Sequence, residues 1–502
     1  MAKLISIAAA IGIVISSGGL FWRSLPASGK QSPGENEYYR IVTIPAPDDV
    51  VLEVGGIDTF SDGTPVVCTR RGDVYMIHNA YSDPPKDITY HKFASGLHEP
   101  LGLVAEPDGI YCTQRGELTR LRDTNNDGIA DAYDTICDKW SISGNYHEYA
   151  YGPKKDKNGD YWITLNLSWT DSGRSLVPWR GWAVKVNKKG EMTPVCAGLR
   201  SPSGLGMNSA GDMFYTDNQG DWNGTCSLHH MERGDFIGHP EGLKWWTDTT
   251  FQPPLPKPPV PPQGKLMIEA AAENPNLKLK LPAVWFPYPR MGQASSDILS
   301  DETGGKFGPF DKQLFVGDQT TSEITRVFLE RVNGKYQGAC FPFRQGFDCG
   351  IVRMCWGKDA SMFVGMTNRG WGSRGSRGEG LQRLVWTGKT PFEVKEIRAA
   401  KDGFELIFTQ TIDADAARDP KSYSGIRFSY LYHERYGSEE VQKADLKILS
   451  AKPGAGGKSV KLTIDGLRKG FVHELHFDGV LSAAGQPLLH RVAYYTLNEI
   501  PE

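Results

Sequence analysis

The chain has 502 residues, 39% hydrophobic, 23% charged and 11% aromatic, with a formal net charge of −3. That length suits one large domain with a smaller companion. The near-neutral balance excludes a basic field for nucleic acid, and the aromatic content excludes a disordered chain. Its 57 glycines, 32 prolines, 13 tryptophans and 20 tyrosines point to short aromatic strands between glycine turns, an all-β chain.

Met1-Ala2-Lys3 precedes an uncharged apolar stretch from Leu4 to Trp22, closed by Arg23. One lysine before an apolar core reads as an export signal, and roughly 20 residues also suffice to span a bilayer. Residues 1–29 are therefore expected to be a signal peptide or an N-terminal membrane anchor. The remainder is then periplasmic, cell-surface or secreted, with membrane contact only through this segment.

From residue 38 to 388 one unit recurs: an apolar strand, an Asp/Asn/Gly turn, a second aromatic strand, a further turn and a third strand. Ile57–Phe60 with Asp62-Gly63 and Pro65–Thr69 is one example. Gly102–Ala105 with Asp108-Gly109 and Ile110–Cys112 is another. Further units begin near Glu148, Gly204, Leu314 and Gly350. Six such units predict a six-bladed β-propeller whose function sits on the loops around one mouth of its channel.

Within the second unit, Asp123 to Asp134 follows the order of an oxygen-ligand loop. Asp123, Asn125 and Asp127 supply side-chain oxygens, Gly128 permits a sharp turn, and the Ile129 carbonyl with Asp131 and Asp134 completes a shell for calcium. Position twelve is Asp where an EF-hand has Glu, and no flanking helices are predicted. The expected role of such a calcium is to staple a loop between blades; the other reading is a solvated acidic turn.

His147 enters the third unit, Arg200 precedes the fourth, Asp217-Asn218-Gln219-Gly220 ends a strand, and Arg353 enters the sixth. A histidine at a propeller mouth is a candidate general base. His147, Arg200 and Arg353 occupy equivalent edges of their repeats and are expected to face one opening. Between the fourth and fifth units, the prolines at 251–263 predict a polyproline-like insertion, since they cannot donate to a ladder. From residue 390 to 502, period-two strands such as Gly403–Phe408 and Ser459–Ile464 predict a small immunoglobulin-like β-sandwich. The eight cysteines allow disulfides in an exported chain, with Cys112–Cys137 and Cys340–Cys349 as candidates beside buried free thiols.

His147–Pro153 with Asn158–Trp162 resembles the blade of glucose/sorbosone dehydrogenases that carries their catalytic histidine. Gly198–Leu205, Asp217–Gly220 and Val352-Arg353-Met354 resemble further segments of that family. The resemblance spans residues 40–388 and is nearest to exported sorbosone-dehydrogenase-like proteins of planctomycetes. It implies a six-bladed propeller that oxidises a sugar or polyol with pyrroloquinoline quinone and calcium, and an electron acceptor protein such as a cytochrome. It also implies His147 as the base taking the hydroxyl proton, Arg200 and Arg353 as holders of the quinone carboxylates, and Gln219 and Gly220 as backbone oxygens for a cofactor calcium. Three positions depart from the pattern: Asn166 stands for the carboxylate that orients the histidine, Ser201 for an asparagine, and Gln319-Thr320-Thr321 where a lysine is expected. Two alternatives stand beside oxidation. One is a non-catalytic propeller binding carbohydrate or protein through Trp169, Trp179, Trp182 and Trp222. The other is a calcium-dependent propeller lactonase or hydrolase.

Overall fold

Turn chemistry and burial divide the chain into short antiparallel sheets. The computed structural model describes residues 34–169, 173–249, 251, 253–273 and 279–502; the segment expected as signal or anchor lies outside the described residues. Among them, six four-stranded antiparallel groups follow one another. The first runs Val54–Thr59, Pro65–Thr69, Val74–His78, Thr89–Ala94. The second runs Leu103–Glu106, Gly109–Thr113, Leu118–Arg122, Ala132–Cys137. The third runs Ala150–Lys155, Tyr161–Leu165, Trp182–Val186, Met192–Ala197. The fourth joins Gly204–Met207, Met213–Asp217 and Cys226–His230 to Val284–Phe286. The fifth runs Ser295–Ser300, Leu314–Asp318, Ile324–Val332, Lys335–Arg344. The sixth joins Ile351–Trp356, Met362–Thr367 and Glu379–Trp386 to the N-terminal strand Tyr39–Ile44, in register from Tyr39↔Trp386 to Ile44↔Leu381.

The first strand of each group contacts that of the next, and the sixth contacts the first, so the arrangement is propeller-like and closes on itself. Second strands such as Tyr161–Leu165, Met213–Asp217 and Leu314–Asp318 are buried along their whole length. Covered on both faces, they read as continuous apolar runs without alternation. Inner strands approach very closely at glycines. A Cβ on Gly102 would lie 2.0 Å from the Gly152 carbonyl oxygen, and one on Gly204 1.9 Å from that of Ser296. The channel cavity lined by Ile57, Gly152, Leu205, Asp297 and Arg353 is therefore only ≈ 10 Å³. That is about the room one water needs.

The fifth group does not stop at four strands. Lys335–Arg344 pairs with Val492–Leu497, which continues through Phe471–His476 and Ser424–Ser429 to Val441–Asp445 as one eight-stranded sheet. A second layer, Val394–Ala400, Gly403–Phe408, Ser459–Asp465 and Lys447–Pro453, packs over it. Their shared core includes Phe404, Leu406, Leu462, Leu475 and Tyr495, and also Phe328, Ala339 and Phe341 of the fifth group. The C-terminal layers are thus hydrogen-bonded to the larger body rather than appended by a linker.

The proline-rich stretch falls inside the fourth group, between its third and outer strands, not between the fourth and fifth units. It lies against the short helix Pro240–Asp248, where the Trp246 indole donates to the Leu255 carbonyl (3.2 Å). All eight cysteines are buried and free. Cys112 and Cys137 sit on the second and fourth strands of one sheet, roughly 10 Å apart by strand spacing and beyond disulfide reach. Cys112 lies instead against Cys68 of the first group.

Candidate functional site at the aromatic mouth

Because neighbouring strands are antiparallel, the entry of each inner strand and the exit of the second strand lie at the same end of a sheet. His147 and Arg200 precede inner strands; Arg70, Arg115, Asn166, Asn218 and Arg369 follow second strands. Topology alone gathers them at one mouth.

His147 is half-buried. Its backbone N–H donates to Asn145 Oδ1 (2.9 Å), which also accepts from Trp169 N–H (3.2 Å). Asn166 Nδ2 donates to the His147 carbonyl (2.8 Å) and lies 3.1 Å from Nδ1. Burial first, then the Arg200 and Arg115 guanidinium groups, push the imidazole down to about 4, against Asp221 and the Leu167 carbonyl. The ring is neutral at pH 7, and its surroundings oppose the imidazolium that a general base must become. An amide at position 166 adds no counter-charge.

Two arginines hold the loop beneath it. Arg180, fully buried, donates to the carbonyls of Ser141 (2.7 and 3.0 Å), Glu148 (2.9 Å), Tyr149 (2.6 Å) and Arg115 (3.0 Å). Arg115 donates to the carbonyls of Asn145 (3.3 Å) and Tyr146 and pairs through Nε with Glu99 (2.8 Å). Glu99 also takes the Nε of Arg70 (3.1 Å), and both arginines lie over the Tyr149 ring. Against the cost of burial, Arg70 and Arg115 hold Glu99 below the usual carboxylate range.

Arg200 is positioned by two aspartates. Its backbone N–H donates to Asp217 Oδ2 (2.9 Å), and its Nε to Asp221 Oδ1 (2.9 Å). Nη1 donates to Ser201 Oγ (3.1 Å), the residue standing where the resemblance expects asparagine. Asp221 Oδ2 meets His239 Nε2 at 2.7 Å. Despite burial, His239 and Arg200 hold Asp221 well below the carboxylate range. No local motif marks Asp221 or His239 as partners, since 18 residues separate them. Arg180 was equally invisible, because its partners are backbone carbonyls.

Two expectations are corrected here, and the acidic loop is seen paired within itself. Arg353 does not face the mouth with Arg200. Its donors go to the carbonyls of Leu101 (2.6 and 3.2 Å), Ser203 (3.2 Å) and Val352 (2.6 Å), and it lines the channel cavity. The Gly220 carbonyl is not open to a calcium, because it accepts from Asn223 N–H (3.1 Å) and Gly437 N–H (2.9 Å). Gln219 lies beside it, its N–H on Cys226 Sγ (3.4 Å) and its amide on the Gly224 carbonyl (3.3 Å). The acidic loop also spends its oxygens internally. Asp123 accepts from the N–H groups of Asn126 (2.7 Å) and Gly128 (2.8 Å), and Asp127 from Ile129 N–H (2.8 Å) and Asn125 Nδ2 (3.1 Å). Asp131 accepts from Thr124, and Asp134 is paired with Arg120 and Arg122. Among the described residues no three His, Cys, Asp or Glu side chains converge on a metal position.

The mouth carries an aromatic rim. Tyr146 is 53% exposed, Trp169 49% and Trp371 38%. Trp169 lies 5.2 Å from the His147 ring and 5.6 Å from Trp371. Of the tryptophans expected there, only Trp169 is on this rim. Trp182 is core, Trp179 packs on it edge-on, and Trp222 packs on Tyr432.

Fold and site together define an all-β, propeller-like protein with an aromatic and arginine-rich mouth over a closed channel. Residues 68–252 match a domain of unknown function, DUF7133. A search of curated proteins finds no match. Among solved structures, a carbohydrate-active enzyme of Trichoderma reesei is 13% identical with a TM-score of 0.50, over 70% of this chain and 96% of its own. An oxidoreductase of Thermus thermophilus described as a glucose dehydrogenase is 15% identical with a TM-score of 0.49, over 69% and 100%. The quinone-bound aldose sugar dehydrogenase of Streptomyces coelicolor is 14% identical with a TM-score of 0.46, over 69% and 98%. At such identities the likeness is one of fold.

The residues do not fit pyrroloquinoline quinone in the way the resemblance implies. The Arg353 guanidinium is committed to carbonyls in the channel, the Gly220 oxygen is taken, and the partner of His147 is an amide whose Oδ1 is buried without a protein partner. Of the groups expected to hold it, Arg200 keeps one nitrogen, Nη2, without a hydrogen bond to the described residues.

Proposed function

We propose that the chain is an exported six-bladed β-propeller, residues 38–388, with a β-sandwich over 390–502, and that its mouth recognises a sugar or polyol. The observation that carries the reading is the exposed rim of Tyr146, Trp169 and Trp371 beside a neutral His147. Aromatic faces suit the C–H faces of sugar rings, while the imidazole and the Asn166 amide suit hydroxyl groups. Arg70 and Arg115 at the mouth are already paired with Glu99, and Arg200 with Asp221.

The test is titration of the full chain with glucose, xylose, cellobiose and sorbitol, read by calorimetry and tryptophan fluorescence. Saturable binding is expected, weakened about tenfold or more in Trp169→Ala. Absence of binding to every probe sinks the reading.

A second reading is oxidation of the same ligand, favoured by Arg200 Nη2 and opposed by the surroundings of His147, which resist the charge a base would take up. Adding pyrroloquinoline quinone and calcium, then desalting, tests it. Quinone retained and reduced by a sugar supports oxidation, and none retained leaves recognition alone.

A further inference from the structure

The turn that carries Asp221 is held by the C-terminal layers. Gly437 N–H donates to the Gly220 carbonyl (2.9 Å), Trp222 N–H to the His433 carbonyl (3.1 Å), and Ser438 N–H to the Gly224 carbonyl (2.8 Å). The Tyr432 hydroxyl donates to the Gly238 carbonyl (2.7 Å), beside His239. Contact is tight: a Cβ on Gly224 would come within 2.8 Å of Tyr430 Cβ. The segment from the strand ending at Ser429 to the strand starting at Val441 is therefore docked beside both Asp221, the partner of Arg200, and His239, the partner of Asp221.

At the tip of this loop stands Tyr436, bridged by backbone to Asp221. The Arg200 guanidinium lies 5.3 Å from the centre of its ring, yet Tyr436 is 58% exposed. This chain buries most of its tyrosines, and an aromatic side chain left in water forfeits its burial energy. Here backbone hydrogen bonds on both sides hold the main chain at Tyr436, and the Arg200 guanidinium lies over its ring.

We propose that the C-terminal module is a wall of the recognition site, and that Tyr436 is its specificity-determining residue, offering a stacking face to a ring-shaped polyhydroxy ligand held at Arg200. The inference rests on the reading of the mouth as a sugar or polyol site. Tyr436 stacks on a second ring or on the far edge of the first, so it discriminates cellobiose and glucose from the acyclic sorbitol.

The test compares wild type, Tyr436→Ala, Tyr436→Phe and Trp169→Ala in the full chain, by calorimetry with cellobiose, glucose and sorbitol. In Tyr436→Ala, cellobiose affinity is expected to fall about tenfold or more and sorbitol affinity to change less than about twofold. Tyr436→Phe keeps the ring and is expected to bind as wild type does. Because Tyr436 is exposed, its thermal midpoint should match wild type, which separates a lost platform from a lost fold. If Trp169→Ala loses binding while Tyr436→Ala keeps wild-type affinity for every probe, the sugar reading stands and the wall is refuted. If wild type binds no probe, the sugar reading fails and takes this inference with it.

Discussion

The junction that locks the C-terminal layers to the rest is a buried, charged histidine, and it gives a pH-dependent prediction. His490 Nδ1 meets Glu393 Oε1 at 2.6 Å, and its Nε2 meets Glu35 Oε1 at 3.1 Å. Glu35 is held in turn by Arg344 Nη1 (2.9 Å) and Gln345 N–H (3.0 Å). The His490 side chain is 13% exposed. Burial opposes its charge, but Glu393 and Glu35 outweigh it and push the imidazole from 6.5 up to about 9. A pKa raised by folding stabilises fully below the unfolded value and is lost as pH rises through the folded one. The gap corresponds to about 3 kcal/mol, present near pH 6 and gone near pH 10. His490→Gln keeps size and hydrogen bonding but removes the charge. In urea unfolding, it is expected to be less stable than wild type by about 3 kcal/mol near pH 6, the difference closing by about pH 10. Titrations common to both proteins cancel. A difference that is constant across that range, or that widens with pH, refutes a charged His490.

Two shorter predictions concern the mouth and the acidic loop. Arg180→Leu strands the carbonyls of Ser141, Glu148, Tyr149 and Arg115, and is expected to lower stability by about 3 kcal/mol or more and to alter Trp169 fluorescence; wild-type unfolding and emission would refute the clamp. Since Asp134 is paired with Arg120 and Arg122 and the other acids are bonded within the loop, millimolar calcium is expected to leave the thermal midpoint unchanged. A rise reversed by chelator, and lost in Asp123→Asn, would show that those pairs yield to the ion.

What was legible in the sequence is what local chemistry dictates. Buried second strands such as Met213–Asp217 read as apolar runs bounded by Asp/Gly turns, because each is covered on both faces. Repetition of that signal placed His147 and Arg200 at equivalent strand entries. Long-range pairing left no such trace. Tyr39–Ile44 completes the sixth group from the other end of the chain, and Val284–Phe286 completes the fourth after a long insertion. Arg353 shows the limit of arguing from equivalence. It enters its strand as Arg200 nearly does, but three carbonyls exposed by the close approach of glycine-bearing strands draw its guanidinium inward. Tyr436 was hidden in a segment read as accessory, since no pattern in a single sequence reports that Gly437 will find Gly220 some 200 residues away.

Charge and space together narrow what the mouth can hold. The channel cavity at Arg353 has room for about one water. Above it, Arg70 and Arg115 share Glu99, and Arg200 has Asp221, which His239 also supports. Arg70 and Arg115 carry one charge more than Glu99 offsets, but an incoming anion would have to compete with these ion pairs and lose its own hydration. A neutral ligand meets no such penalty. It needs hydrogen-bonding groups, which His147, Asn166 and Arg200 Nη2 supply, and apolar faces, which Trp169, Trp371 and Tyr436 supply. A polyhydroxylated ring has both kinds of surface at the spacing of adjacent side chains. The mouth therefore offers a sugar both kinds of contact without displacing an ion pair.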